Sequence, residues 1–173
     1  MQESVGELLK QDISSIVANE GAKLSFQGKT VFEPVVFCGN EFVFEGETAI
    51  DGEIANQSGD FYLTAKVSGE FSIACARCGK PVHESFSFEL NEKLIKEGSK
   101  STDEDAVVFE GNVIDIADLA VNAFLMEAPG KYLCKEDCKG LCPICGIDRN
   151  EETCSCEDES TDPRLDILNN IKF

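Results

Sequence analysis

The chain has a single histidine, and only 15 lysines and arginines against 33 acids. One histidine cannot assemble a Ser-His-Asp catalytic arrangement with any redundancy of choice, and nothing pairs the scattered carboxylates as acid and base. The formal net charge of −18 argues against simple binding to a phosphate backbone, which needs a basic surface. A partner that is itself basic fits that charge better. No run reaches the ~20 apolar residues that span a bilayer. The most apolar window, around Ile116 to Met126, is interrupted by Asp118 and Asn122. The first residues, Met-Gln-Glu-Ser-Val, have neither the basic start nor the apolar core of a signal peptide. Gly28-Lys29-Thr30 mimics the end of a phosphate-binding loop, but the glycine that should open the loop is replaced by Lys23. The expectation is a cytoplasmic protein with no membrane partner and no enzymatic activity.

What the chain does have is a core and cysteines. At 173 residues and 42% hydrophobic it is long enough to bury a core and is not a disordered acidic tail. It carries nine cysteines. Cys38 stands alone, Cys75 and Cys78 form a pair, and six more crowd between Cys134 and Cys156. In the cytosol thiols stay reduced, so cysteines there are more often metal ligands or reactive groups than disulfides. The crowding divides the chain into a sheet body with one main helix, residues 1–133, and a cysteine-rich segment, residues 134–173. Both are acidic, with 23 acids against 10 bases in the first and 10 against 5 in the second.

Hydropathy patterning makes the body α+β. Phe61, Leu63, Ala65, Val67, Phe71, Ile73 and Cys75 form a period-2 apolar row, with mostly polar residues between. A second row runs through Val82, Phe86, Phe88 and Leu90, and a third through Phe42, Phe44, Ile50 and Ile54. Val31 to Phe37 is apolar enough for a further strand, with Pro34 suited to an edge. Residues 56–60 read as a turn. Gly46, Gly52 and Gly69 interrupt strand patterns and predict bulges or sharp curvature. The natural reading is a curved antiparallel sheet or partial barrel, followed by a helix.

Residues 96–105 read as a solvated loop. Ile116, Leu119, Ala120, Ala123 and Phe124 then follow helical spacing, with Asp115 as N-cap, Asp118 three residues on, and Pro129-Gly130 as the stop. Asp162-Pro163 predicts a short final helix with an apolar face of Leu165, Leu168 and Ile171.

The strongest chemical signal lies in Cys134, Cys138, Cys142, Cys145, Cys154 and Cys156. A Cys-x-x-Cys turn brings two thiolates to one metal, and two such pairs complete a tetrahedral zinc site. In Cys142-Pro143-Ile144-Cys145-Gly146 the proline stiffens the turn and the glycine can take positive φ, letting backbone N–H groups point at sulfur. Six thiols with almost no apolar residues between them cannot build a hydrophobic core, so a structural Zn²⁺ is expected to hold the segment. The partners of Cys142 and Cys145 are either Cys134 with Cys138, or Cys154 or Cys156 combined with one of those. Cys75 and Cys78 form a second knuckle-like turn between two strands, which reads either as another ligand pair or as packed small hydrophobes. Setting Cys38 aside leaves eight cysteines, enough for two four-thiolate sites. Redox catalysis by Cys75 and Cys78 would need a helix after the first strand, where a strand follows instead. His83 falls on the solvent parity of its strand. Cys38 is expected in or near the core.

Taken together, several motifs resemble a known family. They are the Cys75-x-Arg77-Cys78 turn, the Ile114-Asp115-Ile116 helix start and Pro129. After these come Cys138-Lys-Gly-Leu-Cys142-Pro-x-Cys145-Gly, Cys154-x-Cys156 and Asp162-Pro163-Arg164-Leu165. They resemble the bacterial YceD family of large ribosomal RNA subunit accumulation proteins. The resemblance implies a role in accumulating or processing large-subunit rRNA during ribosome assembly. Some relatives lack the C-terminal cysteine cluster, which implies that zinc is structural. Genes of such proteins often neighbour one for a zinc-containing large-subunit ribosomal protein. An acidic factor of this kind would engage ribosomal proteins or pre-ribosomal particles. Direct RNA contact would fall to Lys131, Lys135, Lys139 and Arg149, which acids dilute. The rivals are an RNA-processing enzyme, which predicts clustered magnesium-binding acids, and a thiol or zinc-handling protein, which predicts solvent-open cysteines.

Overall fold

The structure, a computed structural model, describes residues 9–99, 103 and 105–156. The expected final helix, and part of the loop at 96–105, lie outside the described residues. The elements are β1 (Lys10–Asp12), α1 (Ser14–Val17), β2 (Lys23–Thr30), β3 (Val35–Phe37), β4 (Asn40–Gln57), β5 (Asp60–Ala74), β6 (Pro81–Lys96), β7 (Val107–Phe109), β8 (Val113–Asp115) and α2 (Ile116–Glu127). The main sheet has the order β2-β4-β5-β6-β7, with β3 beside one end of β4; β1 pairs separately with β8. It is open, and antiparallel except for β6 and β7.

The three apolar rows become the covered face of this sheet. Phe61, Leu63, Ala65, Val67, Phe71, Ile73 and Cys75 are all buried, as are Phe42, Phe44, Ile50 and Ile54. Helix α2 starts where expected. The Asp115 carboxylate accepts hydrogen bonds from the backbone N–H groups of Ala117 (3.1 Å) and Asp118 (3.4 Å). The helix lays Phe124 over the sheet, with ring centroids 4.9–5.4 Å from Phe42, Phe44, Phe71 and Phe86, mostly edge to face.

The glycines divide by role. β4 shifts register between Glu45 and Ala49, so Gly46 (φ +71°), Glu47 and Thr48 bulge opposite Gly69 alone. Pairing runs straight through Gly52. A Cβ there would lie 2.5 Å from the Ala65 Cβ and from the Thr64 carbonyl oxygen, so Gly52 marks close approach and no bulge. The expected strand at Val31 to Phe37 shrinks to Val35–Phe37, because Pro34 has no N–H to give a ladder.

Candidate metal centres

Two knuckles of the same construction hold the thiols. β5 ends at Ala74, and Cys75, Ala76, Arg77 and Cys78 turn the chain before β6. Gly79 follows at φ +72°. Its N–H donates to the Cys75 carbonyl (2.9 Å), and the Cys75 N–H donates to the Lys80 carbonyl (2.7 Å). The second knuckle repeats this bond for bond. Gly146 sits at φ +74°, its N–H donates to the Cys142 carbonyl (2.9 Å), and the Cys142 N–H donates to the Ile147 carbonyl (2.8 Å). The expectation of a positive φ at Gly146 is met, and Gly79 adopts the same conformation.

The structure gathers eight cysteines into two groups of four. Cys75, Cys78, Cys134 and Cys138 form one, and Cys142, Cys145, Cys154 and Cys156 the other, with the four sulfurs of each within 4.8 Å of one another. Both groups could hold a metal ion. The Sγ atoms of Cys75 and Cys138 are 3.8 Å apart, and those of Cys78 and Cys134 are 3.6 Å apart. A tetrahedron with metal–sulfur bonds of ~2.3 Å has edges of about 3.8 Å. A disulfide would need ~2.05 Å, and all nine cysteines are free thiols. The pairing differs from both expected sets. Cys142 and Cys145 take Cys154 and Cys156 together, while Cys134 and Cys138 reach back to the end of β5.

The polar surroundings suit thiolates. The Cys75 thiol is buried, which opposes ionisation. The backbone N–H groups of Cys134, Arg77 and Cys78 overcome this and bring it down to about 6. At Cys142 the N–H groups of Cys145 and Ile144 likewise hold the thiol near about 6. Burial and the neighbouring thiols push Cys134 up to about 12, and the Cys145 thiol together with burial does the same at Cys156. Thiols this close oppose one another's ionisation, and a divalent cation would offset that by favouring thiolate at all four positions.

Two side chains that sequence patterning did not single out as supports brace the first group. Arg77 Nη1 donates to the Cys138 carbonyl (2.6 Å), and Asn150 Nδ2 donates to Cys138 Sγ (3.4 Å) while its Oδ1 accepts from the Lys139 N–H (2.9 Å). Asn150 carries no motif, so only folding reveals it. Gly140 (φ +73°) lets the segment pass close over Arg77, whose carbonyl accepts from the Leu141 N–H (3.1 Å). His83 is exposed, as expected, with Nδ1 2.9 Å from Glu45 Oε1, and joins neither group. Cys38 is the correction. It is exposed at φ +50° in the two-residue turn between β3 and β4.

Fold and site define an open-sheet α+β protein carrying two four-cysteine centres, one of which ties a strand end to the segment after the helix. The chain belongs to the YceD family, described as large ribosomal RNA subunit accumulation protein, which it matches over residues 63–172. It is also similar to uncharacterized proteins of Mycobacterium bovis and Mycobacterium tuberculosis. Each is 29% identical over 173 residues, covering 94% of this chain and 81% of the relative. An uncharacterized protein of Mycobacterium leprae is 31% identical over 102 residues, 56% of this chain and 46% of its own length. No solved structure matches significantly. The family name carries a role in large-subunit rRNA accumulation, and no helix among the described residues is long and apolar enough to cross a membrane.

Proposed function

We propose that this protein is a non-enzymatic ribosome-assembly factor in the cytoplasm, supporting accumulation or processing of large-subunit rRNA through ribosomal proteins or pre-ribosomal particles. The observation that carries the reading is the family match over residues 63–172. The net charge of −18 supports a basic protein partner over a bare phosphate backbone. Zn²⁺ is the ion proposed for both centres, one held by Cys75, Cys78, Cys134 and Cys138 and the other by Cys142, Cys145, Cys154 and Cys156. Four thiolates fill a tetrahedral ion and leave no position for substrate, so bound zinc would act as a cross-link. This chain's own residues keep the thiolates in place, through the paired knuckles, Arg77 and Asn150.

Purification of the tagged full-length protein from growing cells is expected to bring down ribosomal proteins of the large subunit. Its depletion is expected to lower large-subunit rRNA relative to small-subunit rRNA. Recovery of neither ribosomal proteins nor precursor rRNA would overturn the reading. Cleavage of precursor rRNA by the pure protein would overturn its non-enzymatic part.

A further inference from the structure

β6 is paired with β5 from Pro81 to Leu94, but among the described residues its other side is paired only at Leu94, Ile95 and Lys96, by β7. Alternate residues along 81–93 therefore turn their backbone N–H and C=O groups away from the sheet, leaving an open edge. Beside that edge, between β6 and the end of α2, lies a groove of about 320 Å³. Its lining includes the rings of Phe86, Phe88, Phe124 and Tyr132, with Phe86 and Tyr132 partly exposed. Glu84 and Glu127 stand at the same groove.

Both carboxylates are in unusual places. Glu84 occupies the core-facing row of β6, between Val82 and Phe86 and opposite Phe71, yet it is exposed. Burial raises the Tyr132 phenol, and the Glu84 charge adds to that. Glu127 ends α2, whose last turn contains no basic residue, so its charge adds to the negative end of the helix dipole. Neither forms an ion pair among the described residues.

We propose that the open edge of β6 at residues 84–88, with this groove, accepts an extended basic segment of a protein partner as an added strand. The segment would set an apolar side chain on the rings and a lysine or arginine against Glu84 and Glu127. Edge hydrogen bonds supply affinity that does not depend on sequence, and the groove supplies selection. Aromatic faces and carboxylates together favour a cation, and the net charge draws it in. A nucleic acid strand would place phosphates against two carboxylates and a helix C-terminus, which disfavours it. The identity of the partner as a ribosomal protein rests on the reading above; the surface does not. An inward carboxylate on an open edge can also serve to deter self-pairing. Reversal to lysine separates the two roles, because a lysine deters self-pairing equally well.

The test uses the full-length protein and a short labelled peptide alternating valine or leucine with lysine or arginine, beside the same peptide with glutamate at each basic position. The basic peptide is expected to bind saturably and to slow amide exchange at 84–88, and the acidic peptide to do neither. The double variant E84K/E127K is expected to weaken binding by about tenfold or more while remaining folded and monomeric. Equal affinity in that variant, or unchanged exchange at 84–88, overturns the proposal. So does protection in the free monomer of the amides in 84–88 that point away from β5, which would mean that the chain covers its own edge. Protection that grows with protein concentration would assign the edge to a second copy and overturn it too. Peptide binding without ribosomal proteins from cells would leave the surface standing and remove the ribosomal reading; the converse would remove only the surface.

Discussion

Cys38 shows how a single backbone requirement can override a residue's habits. Cysteine is among the residue types most often buried, which placed it in the expected core. Phe37 pairs with Asn40, so only Cys38 and Gly39 connect β3 to β4. A two-residue connection of this kind needs φ > 0 at both positions, and the observed values are +50° and +80°. That geometry turns the side chain to solvent and suits asparagine far better than cysteine. Cys38→Asn is expected to raise stability by about 0.5–1 kcal/mol in urea unfolding. It should leave bound metal unchanged, because Cys38 belongs to neither group of four. A loss of stability, or of metal, would show that the thiol makes a contact the fold requires. The same turn type closes β4 onto β5 through Ser58 (φ +55°) and Gly59 (φ +92°). There Asn56, 2% exposed, accepts the Gly59 N–H at Oδ1 and donates to the Ile16 and Val17 carbonyls from Nδ2.

Among elements, the two centres differ in what they join. The first links the end of β5 to the segment after α2, and three of its four cysteines are buried. The second closes within residues 142–156, with Cys145 exposed and Cys154 and Cys156 half-buried. Cys138→Ser is therefore expected to remove one of two zinc ions and destabilise the sheet by roughly 2–5 kcal/mol, as loss of a buried cross-link does. Cys154→Ser should remove the other ion and lower the sheet's unfolding midpoint by less, through the weakened Lys80 and Asn150 contacts alone. Metal analysis with denaturant unfolding of each variant checks both. Equal destabilisation by the two changes would contradict the asymmetry. The eight cysteines were legible in the sequence because they fall in closely spaced pairs, two of them Cys-x-x-Cys, and such spacing is local. Their partition was not, because Cys75 meets Cys138 across 63 positions, and only the return of the chain past α2 brings them together. The strands divide in the same way. β5 reads cleanly because every second residue except Gly69 is apolar and buried. β2 escaped notice because, as an edge strand, it buries only Phe26 and Thr30. β7 and β8, three residues each, are too short to show a period.

Across the whole molecule, one lysine connects the two centres. Lys80, next to the first knuckle, lies 2.7 Å from Asp148 Oδ2 and 2.6 Å from Glu151 Oε1, both in the loop that belongs to the second centre. In a chain of net charge −18, a cation shared between two acids also relieves local repulsion. The Lys80 ammonium against it, with the hydrogen bonds from the Asn150 backbone and side chain, holds the Asp148 carboxyl down to about 2, below its ordinary 3.8. A depressed carboxyl stabilises the fold above its ordinary pKa, and that contribution is lost as pH falls through the folded value. The stability gap between the zinc-loaded wild type and Asp148→Asn is therefore expected to be constant from pH 7 to about 5. It should narrow below about 4, as Asp148 protonates in the unfolded chain before it does in the folded one. Acid also protonates thiolates and releases metal, and it relieves the general repulsion among carboxylates. The general repulsion acts on both nearly alike and largely cancels in the gap; metal release would free the loop that carries Asp148, so the comparison uses only pH values at which metal analysis finds both centres loaded. Urea unfolding of the pair, down to the lowest such pH, measures it. A gap that widened with acid, or no gap at neutral pH, would mean that Lys80 and Asp148 do not hold the two centres together.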